Sequence, residues 1–510
     1  MEKLITNNLY MPKMKKILLT ILSLAFVAGT VNAANPKREF RGAWMHTINQ
    51  GQYAKQSTEE NKAYLCEQLN ILQKAGCNAV IWQVRPSADA LYYSNYEPWS
   101  RFLSGKAGVA PIPMWDPLQF TIDECHARGM ELHAWLNPYR VTTSEREELP
   151  FNHIFYQHPE RFVRYGTQLY FDPGWPENIE FISKVVNDIV SRYDVDAIHM
   201  DDYFYPYPIT GVDFPDNNSY AAHGNGMDRG DWRRQNCDKL IETLHKTIVE
   251  AKPWVRLGIS PFGIWRNKKS DPRGSDTNGL QNYDALFADV LLWTEKGWVD
   301  YMMPQLYWER EHKLASHDIL NKWWAENNNN RHMYIGQSVN RTMDRADLAP
   351  STETSQLRSK IEMSRAFPGG IHGNCWWPGY SVTANYKGVA DSLANDLQST
   401  IALVPNYPWI NDVAPQAVTG LKCKNDKLTW EAPAIENKTS DVVKWVVYQF
   451  QSNDIAGVEN AENIVAVVNI NECALPNDVE KDCYYVVTAL DRANNESPAC
   501  KPLKVKATKK

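Results

Sequence analysis

Two adjacent aspartates, Asp201 and Asp202, end an apolar run that begins at Val195, and Tyr203, Phe204, Tyr205, Pro206 and Tyr207 follow at once. Side chains alternate faces along a strand, so a double acid has no place inside a core strand. It has one where a strand leaves the core and delivers its acids to a ligand. Aspartate also closes ordinary β-turns, but three tyrosines in five residues make an odd turn and a normal platform for sugar rings. Cleavage of a glycosidic bond needs one group to protonate the leaving oxygen and another to stabilise an oxocarbenium-like transition state. Two carboxylates can do both once their surroundings push their pKa values apart. Asp201 shares a strand face with His199, and Asp202 points the other way unless the strand has already broken into loop. The two are therefore not equivalent, and which is the acid stays open. An adjacent pair also suits substrate-assisted hydrolysis of a 2-acetamido sugar, where one acid orients the acetamido group and its neighbour protonates the leaving group.

The elements that must position this pair alternate between residue 39 and about 400. Strands are predicted at 41–46, 78–84, 131–137, 196–200, 256–261, 301–306, 333–338 and 370–376. Helices are predicted at 58–75, 117–128, 178–193, 231–252, 284–296, 318–326, 354–366 and 388–397. Eight such units are the count of a (β/α)8 barrel, the α/β fold class expected here. A doubly wound open sheet is the rival, but there the polar residues would gather at one switch point. Here polar and aromatic side chains stand at the C-terminal end of every predicted strand, where barrels bind substrate. Those ends nominate Trp44, His46, Gln83, Arg85, Trp135, Asn137, Tyr139, Arg140, Tyr203, Tyr205, Gln305, Tyr307, Trp308 and Trp376 for substrate binding. Asp172 joins them from the long loop at 139–177. A second long loop runs over 203–230. Gln305 stands where many barrel glycosidases carry an acid, which keeps a non-catalytic glycan-binding barrel as the alternative reading, with a partner-binding scaffold as a third. His46, His133 and His199 follow no metal-ligand spacing, so neither a metal nor a cofactor is expected.

The N-terminus reads as an export signal over residues 1–33. Lys13, Lys15 and Lys16 precede an apolar run at 17–28, and Val31-Asn32-Ala33 offers small residues for cleavage. Met14 is an alternative start. The mature chain is expected to be exported, periplasmic or secreted, with no transmembrane segment. A net charge of −6 without charge runs points away from nucleic acid. The barrel is expected over 38–404 and a linker over 405–414. Residues 415–510 carry short strands that imply a small all-β sandwich, with Trp430 in its core. Cys423, Cys473, Cys483 and Cys500 crowd into that segment, and export permits disulfides, in any of three pairings.

Several motifs, in order, resemble the glycosyl-hydrolase-like 10 family. They are Arg41-Gly-Ala-Trp44, Asn78 through Arg85-Pro86, His133-Ala-Trp-Leu-Asn137-Pro-Tyr139-Arg140, His199-Met-Asp-Asp-Tyr203 and Tyr301-Met-Met-Pro-Gln305-Leu-Tyr-Trp308. The likeness covers roughly residues 38–400. It implies an exported bacterial barrel acting on a polysaccharide, with peptidoglycan glycan strands of the cell wall as the leading substrate class. Hydrolysis of another polysaccharide, dietary or host, is the alternative. The carry-over supports Asp201 and Asp202 as the strand-four acids. The order of motifs after residue 415 resembles a fibronectin type III domain.

Overall fold

A computed structural model describes residues 35–202, 204–348, 351–434, 438–475 and 481–507. The expected export signal over 1–33 and Tyr203, an expected sugar contact, lie outside the described residues. Ten strands precede residue 400: β1 Phe40–Met45, β2 Ala79–Arg85, β3 Glu131–Leu136, β4 Phe162–Tyr165, β5 Gln168–Phe171, β6 Ala197–Met200, β7 Arg256–Ile259, β8 Tyr301–Met302, β9 His332–Ser338 and β10 Gly373–Trp377. Eight of them pair in parallel and close in the order β1-β10-β9-β8-β7-β6-β3-β2. This is the expected (β/α)8 barrel.

Local sequence explains the helices that brace it. Ser57 and Glu60 form a reciprocal capping box ahead of the helix Thr58–Lys74. Asp116 caps the helix Pro117–Ala127, whose first residue is the proline favoured there. Two expectations change. The single helix expected at 284–296 is broken into Asn282–Ala285 and Val290–Glu295, because Phe287 takes φ +53° and Asp289 starts a new N-cap. The long loop at 139–177 holds the β4–β5 hairpin, and the 203–230 loop holds the helix Asn217–His223.

Strand alternation sorts the barrel residues into two clusters. Ala43, Met45, Val80, Trp82, Leu132, Ala134, Ile198, Met200 and Trp376 face outward into the core shared with the helices. Phe40, Trp44, Ile81, Trp135, Tyr301, Tyr334 and Cys375 face the barrel axis. Large rings fit there because small residues oppose them. A Cβ on Gly258 would lie 1.8 Å from the Tyr301 ring, and one on Gly336 would lie 2.8 Å from that of Trp44.

After residue 415 come β11 Thr419–Lys424, β12 Lys427–Glu431, β13 Val442–Phe450, β14 Ile464–Val468, β15 Glu472–Ala474, β16 Cys483–Asp491 and β17 Leu503–Val505. They form a three-stranded antiparallel sheet, β11-β12-β15, and a four-stranded one, β14-β13-β16-β17. Trp430 from the first meets Trp445 from the second with ring centres 6.2 Å apart, and Leu428, Val447 and Val487 belong to the same buried cluster, so this is a sandwich. All nine cysteines lie among the described residues and are free thiols.

The segment between barrel and sandwich is tightly held. Tyr407 is fully buried under the barrel axis, its hydroxyl 2.7 Å from that of Tyr334 and its ring beneath the Arg256 guanidinium. Trp409 donates to Asp300 at 2.7 Å, and the Tyr407 amide donates to the Ala493 carbonyl at 2.9 Å. No helix among the described residues is long and apolar enough to cross a membrane.

Candidate active site

A cleft of about 230 Å³ opens at the C-terminal ends of the barrel strands, lined by Trp44, Ile48, Gln83, Trp135, Arg140, Asp201, Asp202, Ser260, Gln305, Tyr307 and Trp377. Asp201 is where alternation puts it. Ala197 and His199 face the axis, so the next residue but one does too. Asp202 reaches the same cleft because β6 ends at Met200, and the chain no longer obeys the strand's two-residue period.

The two acids are held differently. Asn137 donates its amide to Asp201 Oδ2 at 2.5 Å. The Asn137 carbonyl oxygen accepts from Gln83 Nε2 at 2.6 Å and from Arg140 Nη2 at 2.9 Å. Gln83 is itself pinned, because its Oε1 accepts from the amides of Thr47 and Ile48, both at 2.9 Å. A buried amide chain thus aims the Asp201 carboxylate. Asp202, 3% exposed, accepts from the Tyr207 hydroxyl. Burial pushes its carboxyl up to about 6, although bonds from Tyr207, its own amide and Gln305 pull the other way. It therefore keeps a proton far closer to neutrality than an ordinary aspartate. Asp89, Asp172 and Asp238 are also raised to about 6 by burial, so a raised pKa alone does not mark the site; of these four, Asp202 alone lines the cleft.

The walls are largely indole. Trp135 and Trp377 meet edge to face with ring centres 6.1 Å apart, and Trp44 and Tyr307 line the remaining sides. Two buried groups in this lining, the Trp135 Nε1–H and the Ser260 hydroxyl, have no hydrogen-bond partner among the described residues. A buried donor left unmade is costly, so such groups point to a polar ligand.

Other nominated residues stand elsewhere. Arg85 is a buried strut, paired with Glu97 at 2.6 Å and donating to the carbonyls of Asn137 and Pro138. Tyr139 is wholly buried in the core behind β3, and Tyr205 is equally buried, its hydroxyl taking a bond from Asn236. Asp172 shapes a turn, accepting from Ser219 Oγ at 2.6 Å and Gly174 N at 2.9 Å. Trp308 packs its ring on Phe262, which in turn meets Tyr207, so it supports the site from behind. His46 stands behind Trp377, with burial holding its imidazole down at about 4. On β10 the alternation is decisive: Trp376 points outward to the helices with no exposure, and Trp377 faces the cleft.

Four lining or supporting residues were not among those nominated from the sequence: Ile48, Trp377, Ser260 and Tyr207. Trp377 shares the inward face of Cys375 and was legible from the two-residue period. Ser260 follows β7 at the same level. Tyr207 could not be foreseen, because its reach back to Asp202 depends on the path of a non-repetitive loop.

The chain is similar to several known proteins. A family model described as Glycosyl hydrolase-like 10 matches residues 39–349. The chain is 37% identical over 500 residues to "Glycosyl hydrolase YngK" of Bacillus subtilis (strain 168), spanning 94% of this chain and 95% of that protein. It is 35% identical over 356 residues to "Glycosyl hydrolase DigH" of Escherichia coli (strain K12), spanning 64% of this chain and 80% of that one. Among solved structures, the PgaB (BpsB) glycoside hydrolase domain from Bordetella bronchiseptica aligns with a TM-score of 0.45 at 14% identity, over 72% of this chain and 100% of that one.

Proposed function

The chain belongs to the glycosyl hydrolase-like 10 family, and from that premise we propose that its cleft hydrolyses the glycan strands of cell-wall peptidoglycan outside the cytoplasm. That it is a glycoside hydrolase follows from the family. The substrate and the roles of the two acids are our reading, and one observation carries it: a protonated-tending Asp202 beside an Asp201 aimed by Asn137.

Asp202 is the general acid. Burial keeps its proton available near neutral pH, and the leaving glycosidic oxygen takes that proton as the bond to C1 breaks. Asp201, fixed by Asn137, accepts the N–H of a 2-acetamido group, whose carbonyl oxygen attacks C1 to give a cyclic oxazolinium. Water then opens that ring while the Asp202 carboxylate takes its proton, which restores both acids and retains configuration at C1. The indole walls suit the acetamido methyl and the sugar faces. The unpartnered Trp135 N–H and Ser260 hydroxyl suit ring hydroxyls or the acetamido oxygen. Gln305 does not replace a missing acid in this scheme; its amide steadies Asp202 and accounts for the residue type found there.

Export rests on the leader-like residues 1–33, and we read the three-plus-four-stranded sandwich as fibronectin type III-like. The test is to incubate the mature protein with peptide-free cell-wall glycan and, separately, with neutral polysaccharides lacking 2-acetamido groups, and to weigh the products. Cleavage confined to the first, with no covalent sugar–enzyme adduct trapped, supports the reading. Cleavage of the second set equally well would discard both substrate and route.

A further inference from the structure

A file of buried polar groups runs from the cleft wall through the barrel axis to the sandwich. The Trp44 indole Nε1–H lies 3.1 Å from His199 Nε2. His199 Nδ1 lies 3.0 Å from the Tyr301 hydroxyl, and that hydroxyl lies 2.8 Å from His133 Nδ1. His133 Nε2 lies 3.0 Å from Glu131 Oε2. Asn494, in the turn that follows β16, donates to the other Glu131 oxygen at 2.9 Å. Every member is at most 4% exposed.

The chemistry of the two ends sets the direction of every bond between them. An indole N–H can only donate, and an ionised carboxylate can only accept. His199 Nε2 is therefore the acceptor, which leaves its proton on Nδ1 to donate to Tyr301. Tyr301 passes its own proton to His133 Nδ1, and the remaining His133 Nε2–H donates to Glu131. One arrangement satisfies all the groups, and it requires both histidines to be neutral. Burial depresses both imidazoles accordingly. Burial works to raise the Glu131 carboxyl, but Arg256 and Lys444 overcome it and hold it down at about 2, so the acceptor end stays ionised. Arg256 donates to Glu131 at 2.5 Å from within the barrel, whereas Lys444 and Asn494 come from the sandwich.

We propose that this one-way chain fixes the orientation of the Trp44 indole in the cleft wall and that the sandwich, through Asn494, anchors its far end. His199, Tyr301, His133, Glu131 and Asn494 are then positioning residues that touch no substrate. The inference rests on the cleft being the glycan site, since Trp44 matters only as part of its wall. It assigns the C-terminal module a share in shaping a site at the opposite end of the barrel.

The decisive measurement needs no glycan, so it stands apart from the substrate assignment. In the mature protein labelled with 15N-tryptophan, the Trp44 indole resonance is identified by its loss in Trp44→Phe. A proton donated to an imidazole nitrogen resonates downfield, so Tyr301→Phe, which removes one oxygen and keeps the ring, should move that resonance upfield. Asn494→Gly should move it in the same direction. Asn494 sits at φ +61°, so glycine deletes the amide there without backbone strain. Tyr334→Phe serves as the control, because it removes a neighbouring buried hydroxyl that bonds Tyr407 and His332 and stands outside the chain. On the active enzyme, Tyr301→Phe should raise KM more than it lowers kcat. A Trp44 resonance unmoved by Tyr301→Phe, or moved equally by Tyr334→Phe, overturns the chain. One moved by Tyr301→Phe and unmoved by Asn494→Gly overturns the part given to the sandwich.

Discussion

Tyr207 folds back on Asp202, and its hydroxyl donates to the Asp202 carboxylate from only five residues along the chain. The bond favours the ionised acid, burial favours the neutral one, and burial prevails. The balance leaves a carboxyl poised at about 6, near the pH at which a general acid is most useful.

Turnover should therefore fall as pH rises through about 6, where Asp202 loses its proton. Tyr207→Phe removes a bond to the ionised form, so its alkaline limb should move to higher pH. Asp202→Asn should lose about 10²–10⁴-fold in kcat and recover on substrates whose leaving group needs no proton. Asp201→Asn should stay slow on those same substrates. A pH–rate series on the four proteins decides this, and near-normal turnover in both aspartate variants removes the assignment.

The same group affects stability with a definite sign. A folded pKa of about 6 against an ordinary value of 3.8 means that the folded state holds the proton longer than the unfolded one. The stabilisation is complete below about 3.8 and is lost as pH rises through 6, which amounts to at most about 3 kcal/mol. Asp202→Asn lacks this loss. Its thermal midpoint relative to the parent should be higher at neutral pH than at about pH 4, and a difference independent of pH would contradict the burial argument.

Adjacent tryptophans on β10 should part company. Trp376→Ala empties a fully buried site and should cost about 3–5 kcal/mol. Trp377→Ala opens the cleft wall and should weaken glycan binding with a smaller cost in stability. Paired melting and binding curves test this, and the reverse pattern would invert the strand register given above.

The Arg85–Glu97 pair should behave as structure. Both side chains are at most 1% exposed, and removing one partner strands a buried charge. Glu97→Ala should cost about 3–5 kcal/mol, whereas replacing both by apolar residues should recover most of it. Denaturation of the single and double variants provides the comparison, and a mild single variant would make Arg85 available as a ligand group after all.

The eight strands were legible because each combines an apolar run with a polar or aromatic C-terminal end. Asp201, Asn137 and Gln83 were legible for the same reason, since each continues an inward-facing alternation. Tyr139, Tyr205 and Asp172 misled because aromatics and acids just beyond a strand serve equally well to pack a loop against the barrel. Arg85 misled because its partner Glu97 lies in a connection without periodicity. The broken helix around Phe287 also left no mark, as nothing in that residue's type requires φ +53°.

Tyr407 has a mechanical consequence. With its ring sealed beneath the axis, its hydroxyl joined to Tyr334 and the next turn tied to Asp300 and Ala493, the passage between modules cannot act as a hinge. Barrel and sandwich tumble as one body, so no swing of one against the other can clamp a polymer in the cleft. Phe40, Tyr301 and Tyr334 fill the axis above Tyr407, so the described residues leave no channel along it.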